Sequence, residues 1–540
     1  MSLFAGSLTT RKLFNGGLFN DGLFYSANGE IFHATLTTTL VPSIGNYVPT
    51  FTRSTTASVT DFEGIIRTAK IGEARFEGAR RVENLYANSE TLVTQGISVD
   101  AGTYTVSFTG TGTITFSGAY SGSLVGTGVS NRVETTFSAS AGTLTSTVSG
   151  SVLTAQCENV TGQAVQAASE YVSNGVLSFP YHGTGADGVK YFWTQRDGTP
   201  ITPVTQKGYL SEGQIQNLVT YSEQMDNASW VKSSVVSVTA NNAQAPDGTT
   251  TADLFLRTTT SSLEAILRKP CSQTINTIYT FSVYAKKLTV NWVRLRNLAT
   301  DSSFTLLQQS AFFDLDGGVL GTKGSGILAS GMQSIGNGWY RCWITALTSA
   351  SIPYNYVDIA IATADNTTNG ISGDSIYVWG AQLEKGVSSY IKTTSSSITR
   401  NKDDLKFPLI LPEEGSIYAE VSSVTSNVGS GIVSKELGVG PINYHSDTGV
   451  SFIDGTNTHV LTYGSPFSTG TRKIAARWSG TAGTMKVFKD GGASPEGAYN
   501  GAFVGGSEIL IGQNNFFGHI GNVKIWNRVL SDSELMSMTS

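Results

Sequence analysis

Cysteine is scarce: 540 residues contain only Cys157, Cys271 and Cys342. Their number is odd, they lie far apart and none belongs to a Cys-x-x-Cys pair. Neither a disulfide framework nor a zinc site follows, and we read all three as buried thiols. Charge is sparse too. Charged residues make up 14% of the chain, against roughly 25% in ordinary soluble domains. The net charge is −5 and no lysine or arginine block stands out. Neutralising a run of phosphates needs such a block, so nucleic acid is excluded as a partner. His33, His182, His445, His459 and His519 are scattered without ligand spacing, so no metal or other cofactor is expected. No apolar run approaches a membrane span, and the first residues lack the continuous apolar region of a secretory signal. The expectation is synthesis in a cytoplasm, no export by the usual route and no membrane insertion.

The marks of catalysis are missing as well. There is no Gly-x-Ser-x-Gly elbow between a strand and a helix and no glycine loop of the phosphate-cradling kind. Acids such as Glu413, Glu420 and Asp454 cannot be matched from sequence as the two carboxylates that flank a glycosidic bond. We assign no catalytic residue and expect a protein that is not an enzyme.

What is present is glycine, 60 residues of it, with aromatics at 10%. Tyr279-Thr280-Phe281-Ser282-Val283-Tyr284-Ala285 and Trp339-Tyr340-Arg341-Cys342-Trp343-Ile344 alternate as strands with one buried face. Breaks such as Pro246-Asp247-Gly248 and Asp316-Gly317-Gly318 supply turns. The aromatic content supplies the apolar surface that a disordered chain lacks. Residues 217–400 therefore read as one antiparallel β-sandwich. It opens Asn217-Leu218-Val219-Thr220-Tyr221-Ser222-Glu223 and closes on Ala381-Gln382-Leu383-Glu384 and Ser389-Tyr390. The same marks recur upstream as Asn84-Leu85-Tyr86-Ala87-Asn88-Ser89-Glu90, Ala155-Gln156-Cys157-Glu158 and Glu170-Tyr171. Two copies of one module, 84–197 and 217–400, joined by a linker at 198–216, account for this. Lys190-Tyr191-Phe192-Trp193 suggests a further hairpin before the linker.

The opening motif, the turn at 245–253 and the strands at 336–341 and 379–384 resemble the sandwich modules of bacteriophage fibre, spike and head-fibre proteins. Residues 51–85, which begin Phe51-Thr52-Arg53, resemble a segment that precedes such modules in phage virion proteins. Residues 477–491 and 509–535 are similar to the concanavalin-like, laminin-G-type lectin fold, and Ser531 with Glu534 fits the capping box of a short terminal helix. The resemblance implies an all-β chain with tandem antiparallel jelly-roll-like sandwiches, carbohydrate-binding-like in the second copy, and a C-terminal concanavalin A-like sandwich at 401–540. It also implies a homo-oligomer, a trimer by analogy, in the virion.

Residues 1–50 are expected as an irregular arm. Leu13-Phe14, Leu18-Phe19 and Leu23-Phe24 recur every five residues, which fits neither helix nor strand and would present apolar pairs to a partner surface. The arm either docks on other virion proteins through these six residues or folds back on the chain. The connector at 51–83 interleaves Glu73, Arg75, Glu77, Arg80, Arg81 and Glu83, either as a solvated face or as a salt-bridged contact between subunits.

Sugars stack their C–H faces on aromatic rings and offer hydroxyls to amides and carboxylates. Alternation puts Trp339, Arg341 and Trp343 on one face, where they form either a sugar platform or a surface covered by neighbours. Trp292, Tyr354 and Tyr356 are edge or loop candidates, and Asn514, Asn515, Phe516 and Phe517 lie in a lectin-block turn. The functional expectation is adhesion to host polysaccharide or lipopolysaccharide, anchored at the N-terminus with the C-terminal lectin-like block at the far end. The alternatives are a structural decoration of head or tail that binds no receptor, and a polysaccharide depolymerase.

Overall fold

The structure, a computed structural model, describes residues 28–202, 206–300, 305, 308–351, 355–422, 430–435, 439–467, 470–501, 503, 506–513 and 515–540. The arm residues Leu13, Phe14, Leu18, Phe19, Leu23 and Phe24, and the candidates Tyr354 and Asn514, lie outside the described residues.

The chain is all-β and antiparallel. In the middle block two six-stranded sheets face each other. One contains Ile278–Lys287, Trp339–Leu347 and Ser375–Glu384; the other contains Ile266–Pro270, Trp292–Asn297 and Tyr356–Ala362. Phe281, Val283, Cys342, Ile344, Ile359 and Val378 fill the space between them, so the alternation read from residues 339–344 does put Cys342 and Ile344 inward. All three cysteines are buried thiols. A smaller sandwich precedes this one. Its four-stranded sheet includes Thr113–Gly118 and Gly142–Ser149, its three-stranded sheet Gly102–Gly110 and Val152–Asn159, and its core Val106, Phe108, Ile114, Leu144 and Cys157.

The two copies share a hydrogen-bond pattern that explains the repeated motif. Asn217 Nδ2 donates to the carbonyls of Ala381 and Ile391, and its Oδ1 accepts from the N–H groups of Val219 and Leu383. Asn84 makes the same four bonds, to Ala155, Val172, Tyr86 and Cys157. Ser222 pairs with the Tyr390 hydroxyl as Ser89 pairs with that of Tyr171, both at 2.7 Å. Gln382 and Gln156 each accept an N–H from the segment that follows their strand, of Ile391 and Val172. An amide at the motif's first position has two donors and two acceptor sites, and each is satisfied here. The recurring residues staple the module's opening segment to its last strand and to the tail that follows it.

The third sandwich corrects the expected division of the chain. Its nine-stranded sheet includes Arg472–Ser479, Glu414–Ser422 and Phe517–Trp526, but also Glu30–Ala34, Arg75–Glu77 and Gly208–Glu212. Glu30–Ala34 pairs with the second half of Phe517–Trp526 and Gly208–Glu212 with the first half. Thr50–Thr52 likewise extends the seven-stranded sheet by pairing with Asp404–Phe407. Residues 28–50 are thus built into the C-terminal block, and residues 51–83 and 198–216 are more than connectors. The C-terminal sandwich stands beside the chain's first described residues and is not separated from them by the two modules. The reason is apolar burial. Phe32, Phe51, Phe76 and Tyr209 share one core with Phe407, Ile417 and Ile525, each full burial being worth on the order of 1.5–3 kcal/mol. The added strands also cover an edge that would otherwise present unpaired backbone groups.

Val189–Phe192 pairs with Arg80–Glu83, in place of the hairpin expected around Lys190–Trp193. The terminal helix Asp532–Thr539 carries the capping box read from Ser531 and Glu534, and it covers Tyr418, Phe488 and Trp526.

Candidate functional site

Where the middle sandwich meets the nine-stranded sheet, a cleft of about 370 Å³ opens. One wall is the outer face of the middle sandwich: Tyr284, Gln333, Arg341 and Trp343. The facing wall comes from the C-terminal sheet, with Leu210, Phe517 and His519, and the connector adds Ser58, Thr60 and Glu77. Strand alternation selects these side chains. On Phe517–Trp526, Ile520 points into the core, leaving Phe517 and His519 on the cleft side. The cleft thus offers aromatic rings, hydroxyls, an amide and ionic groups, a set suited to a hydroxylated ligand with apolar C–H faces.

Trp343 is half-buried and its indole lies across the neighbouring strand over Gly331, where an added Cβ would sit 1.9 Å from Cζ2. Glycine is required there because the ring occupies the space of a side chain. Trp339 shares that face but is 2% exposed, packs with Ile66, Tyr284 and Trp379, and donates its Nε1–H to the Gln244 carbonyl. The connector hairpin Ala57–Thr60 and Ile66–Ala69 contributes Ile66 to this cover, so Trp339 is removed from the candidate sugar platform. Arg341 lines the cleft, yet it donates to the Ser388 carbonyl and to Ser282 Oγ. Arg132 makes the same pair of bonds in the first module, to Ser169 and Ser107, which marks Arg341 as a shared loop clamp.

The other candidates are dispersed. Trp292 is half-buried on its strand, against Gly321. Tyr356 is half-buried with the Arg268 guanidinium 5.4 Å from its ring centre. Neither lines the cleft. Asn515 is exposed at a left-handed turn position, φ 57°. Phe516 is fully buried in the C-terminal core, so it cannot touch a ligand; its neighbour Phe517 faces the cleft instead. His519, Glu77 and Lys207 were absent from the sequence candidates for ligand contact, and the alternation of residues 516–520 is the signal that could have found the first of them.

Glu77 joins the walls. Its carboxylate meets His519 Nε2 and Lys207 Nζ, each at 2.8 Å. Burial pushes the carboxyl up, but the charges of His519 and Lys207 and their hydrogen bonds outweigh it and hold the group well below the usual range. A carboxylate with a depressed folded pKa adds stability that is complete above its unfolded value and vanishes as pH falls through the folded one. The stability gap between wild type and Glu77→Gln should therefore be full at pH 7 and shrink steadily below about pH 4.5, the unperturbed carboxyl value, in denaturation measured across pH.

Adjoining the cleft through Glu212 and Ser389 is a buried ionic cluster. Asp403 receives Arg53 at 2.8 Å and Arg75 at 2.5 Å; Glu212 receives Arg75 at 2.8 Å, Arg400, and the N–H and hydroxyl of Ser389. Glu73, fully buried, pairs with Arg81, and the Tyr191 hydroxyl donates to it. The connector charges are therefore not a solvated face: they are buried or half-buried and paired within the chain. Arg75 and Glu77 join the connector to the C-terminal block and its flanking strands, Arg80 reaches Glu170 of the first module, and Glu73, Arg81 and Glu83 pair within the connector.

No family model and no curated protein sequence matches the chain. Among solved structures, a sialidase carbohydrate-binding module (CBM40) of Ruminococcus gnavus, bound to α2,3-sialyllactose, aligns at 16% identity over 24% of this chain and 84% of its own, with a TM-score of 0.20. The tandem CBM22 domains of Paenibacillus barcinonensis Xyn10C align at 9% identity over 60% of this chain and 93% of theirs, also at 0.20. The enzymatically active domain of tailspike protein 4 of bacteriophage CBA120 aligns at 13% identity over 31% of this chain and 21% of its own, again at 0.20. Scores this low say nothing about what this chain binds.

Proposed function

We propose that this chain is a saccharide-binding structural protein of a bacteriophage fibre or spike, holding host surface glycan in the cleft between its middle and C-terminal sandwiches. The observation that carries the binding role is the cleft itself, with Trp343 and Phe517 contributed by opposite walls and hydroxyl and amide groups between them. The phage assignment rests on the module motifs of residues 51–85, 217–223 and 379–390. In this reading residues 1–27 meet other virion proteins, and the C-terminal sandwich lies near that attachment. Assembly as a homotrimer would multiply weak single-site binding by avidity.

The role is binding without cleavage. A glycosidase needs one carboxyl kept protonated as general acid, whereas Glu77 is held ionised by His519 and Lys207 and Glu212 is engaged by Arg75 and Arg400.

The test is an array of bacterial surface polysaccharides probed with the full chain, Trp343→Ala and Gly331→Val. Losing a central aromatic contact is worth about 2 kcal/mol, so Trp343→Ala should weaken binding about 30-fold. Gly331→Val should do the same by displacing the indole. Unchanged binding in both variants would remove the cleft from the account, and no retention of any glycan by wild type would favour a purely structural decoration. Release of new reducing ends would turn the reading to a depolymerase.

A further inference from the structure

A second cleft, of about 350 Å³, lies on the nine-stranded sheet beside the first. It is lined by Thr35 and Thr37 just after Glu30–Ala34, by Glu420 and Ser422, by Gly521 and Asn522, and by Gln206 and Trp193. Lys207 lines both clefts, which adjoin at this side chain. Trp193 is 39% exposed, an unusual cost for an indole on a surface unless something covers it. Its backbone carbonyl accepts from Ile201, which fixes the chain beneath the ring. Thr37 Oγ1 and Gln206 Nε2 sit in the wall without a hydrogen-bond partner among the described residues. Each unmet group carries a desolvation cost, which a ligand hydroxyl could relieve after a small side-chain rotation.

Resting on the binding role above, we propose that the second cleft is a further saccharide subsite and that the two clefts form one groove. The groove takes a linear, neutral oligosaccharide of several residues. Trp193 supplies the stacking face; Gln206, Asn522 and the threonines supply hydroxyl partners. Neutrality follows from the charges. Lys207 is already paired with Glu77 at 2.8 Å. Glu420 accepts from the Tyr418 hydroxyl and forms no ion pair among the described residues, so an anionic sugar would meet an uncompensated carboxylate. A chain spanning both clefts gains through effective concentration, because the second contact follows the first within one complex.

The experiment uses the polysaccharide that the full chain retains on the array, partially hydrolysed and fractionated by length, with binding measured by calorimetry. Wild-type affinity should rise at least about tenfold from the disaccharide to the longer fractions. Trp193→Ala and Gly521→Leu should each abolish that rise while leaving disaccharide affinity unchanged. A Cβ on Gly521 meets nothing nearer than 3.6 Å, so the leucine fills the cleft without disturbing the sheet. Trp343→Ala should weaken every length. If both second-cleft variants keep the rise while Trp343→Ala still weakens binding, the groove is wrong and the first cleft stands alone. If Trp343→Ala changes nothing at any length, or wild type retains no polysaccharide, the binding role falls and the groove with it. An anionic retained polysaccharide would overturn the neutral assignment.

Discussion

Asp403→Asn should destabilise the junction between the connector and the two larger sandwiches by about 3–5 kcal/mol, the range for breaking a buried ion pair by removing one partner. In the wild type Arg53, Arg75 and Arg400 face Asp403 and Glu212. All five are buried, and their formal charges sum to +1. The amide leaves the same three guanidiniums against Glu212 alone. Asparagine fills the aspartate's volume, so the loss reports charge and not packing. Burial would raise the Asp403 carboxyl, but Arg75, Arg53 and Arg400 outweigh it and hold it below the ordinary range. Its contribution is therefore full at neutral pH and lost only in acid. The measurement is chemical denaturation together with hydrogen exchange of strands Thr50–Thr52, Gly208–Glu212 and Asp404–Phe407. Exchange should accelerate there and stay unchanged in the first module. Equal stability of wild type and variant at pH 7 would mean that the cluster merely tolerates burial and does not hold the blocks together.

Asn217→Ala and Asn84→Ala should each destabilise their own module by about 3–4 kcal/mol. Truncation strands two carbonyls and two N–H groups in a buried site, at ~1–3 kcal/mol for each that finds no substitute. The total falls below the sum because carbonyls retain a second lone pair and water can enter. Since the two asparagines make matching bonds, the two losses should be alike, and each should be confined to its own sandwich in hydrogen exchange. Asn217→Ala acting on strand Gly102–Gly110 of the first module would show that the modules do not melt as separate units.

Much of the local order was legible before any coordinates. The two-residue period of Trp339–Leu347 placed Cys342 and Ile344 inward because a strand's side chains must alternate. The repeated Asn-Leu-x-x-x-Ser-Glu and Ala-Gln-x-Glu marks announced two like modules because the same four backbone groups need the same amide each time. The same period also grouped Trp339, Arg341 and Trp343 on one face, but it could not say what lay over that face. The connector covers Trp339, while Trp343 looks into the cleft. Phe516 and Phe517 show the limit most sharply. Adjacent and chemically identical, they go to opposite sides of a sheet, one to the core and one to the cleft.

Composition and periodicity by themselves determined an all-β chain, its turns, its repeated module and its buried thiols, since each of these follows from neighbours within a few residues. Only the tertiary structure decided that Glu30–Ala34, Thr50–Thr52, Arg75–Glu77 and Gly208–Glu212 belong to the C-terminal sandwich. It likewise decided that Glu77 meets His519 across 442 positions. Strand partners are chosen by edges and apolar faces that the rest of the chain leaves open. That choice depends on the assembled surface and leaves no periodic trace in the strands that join it.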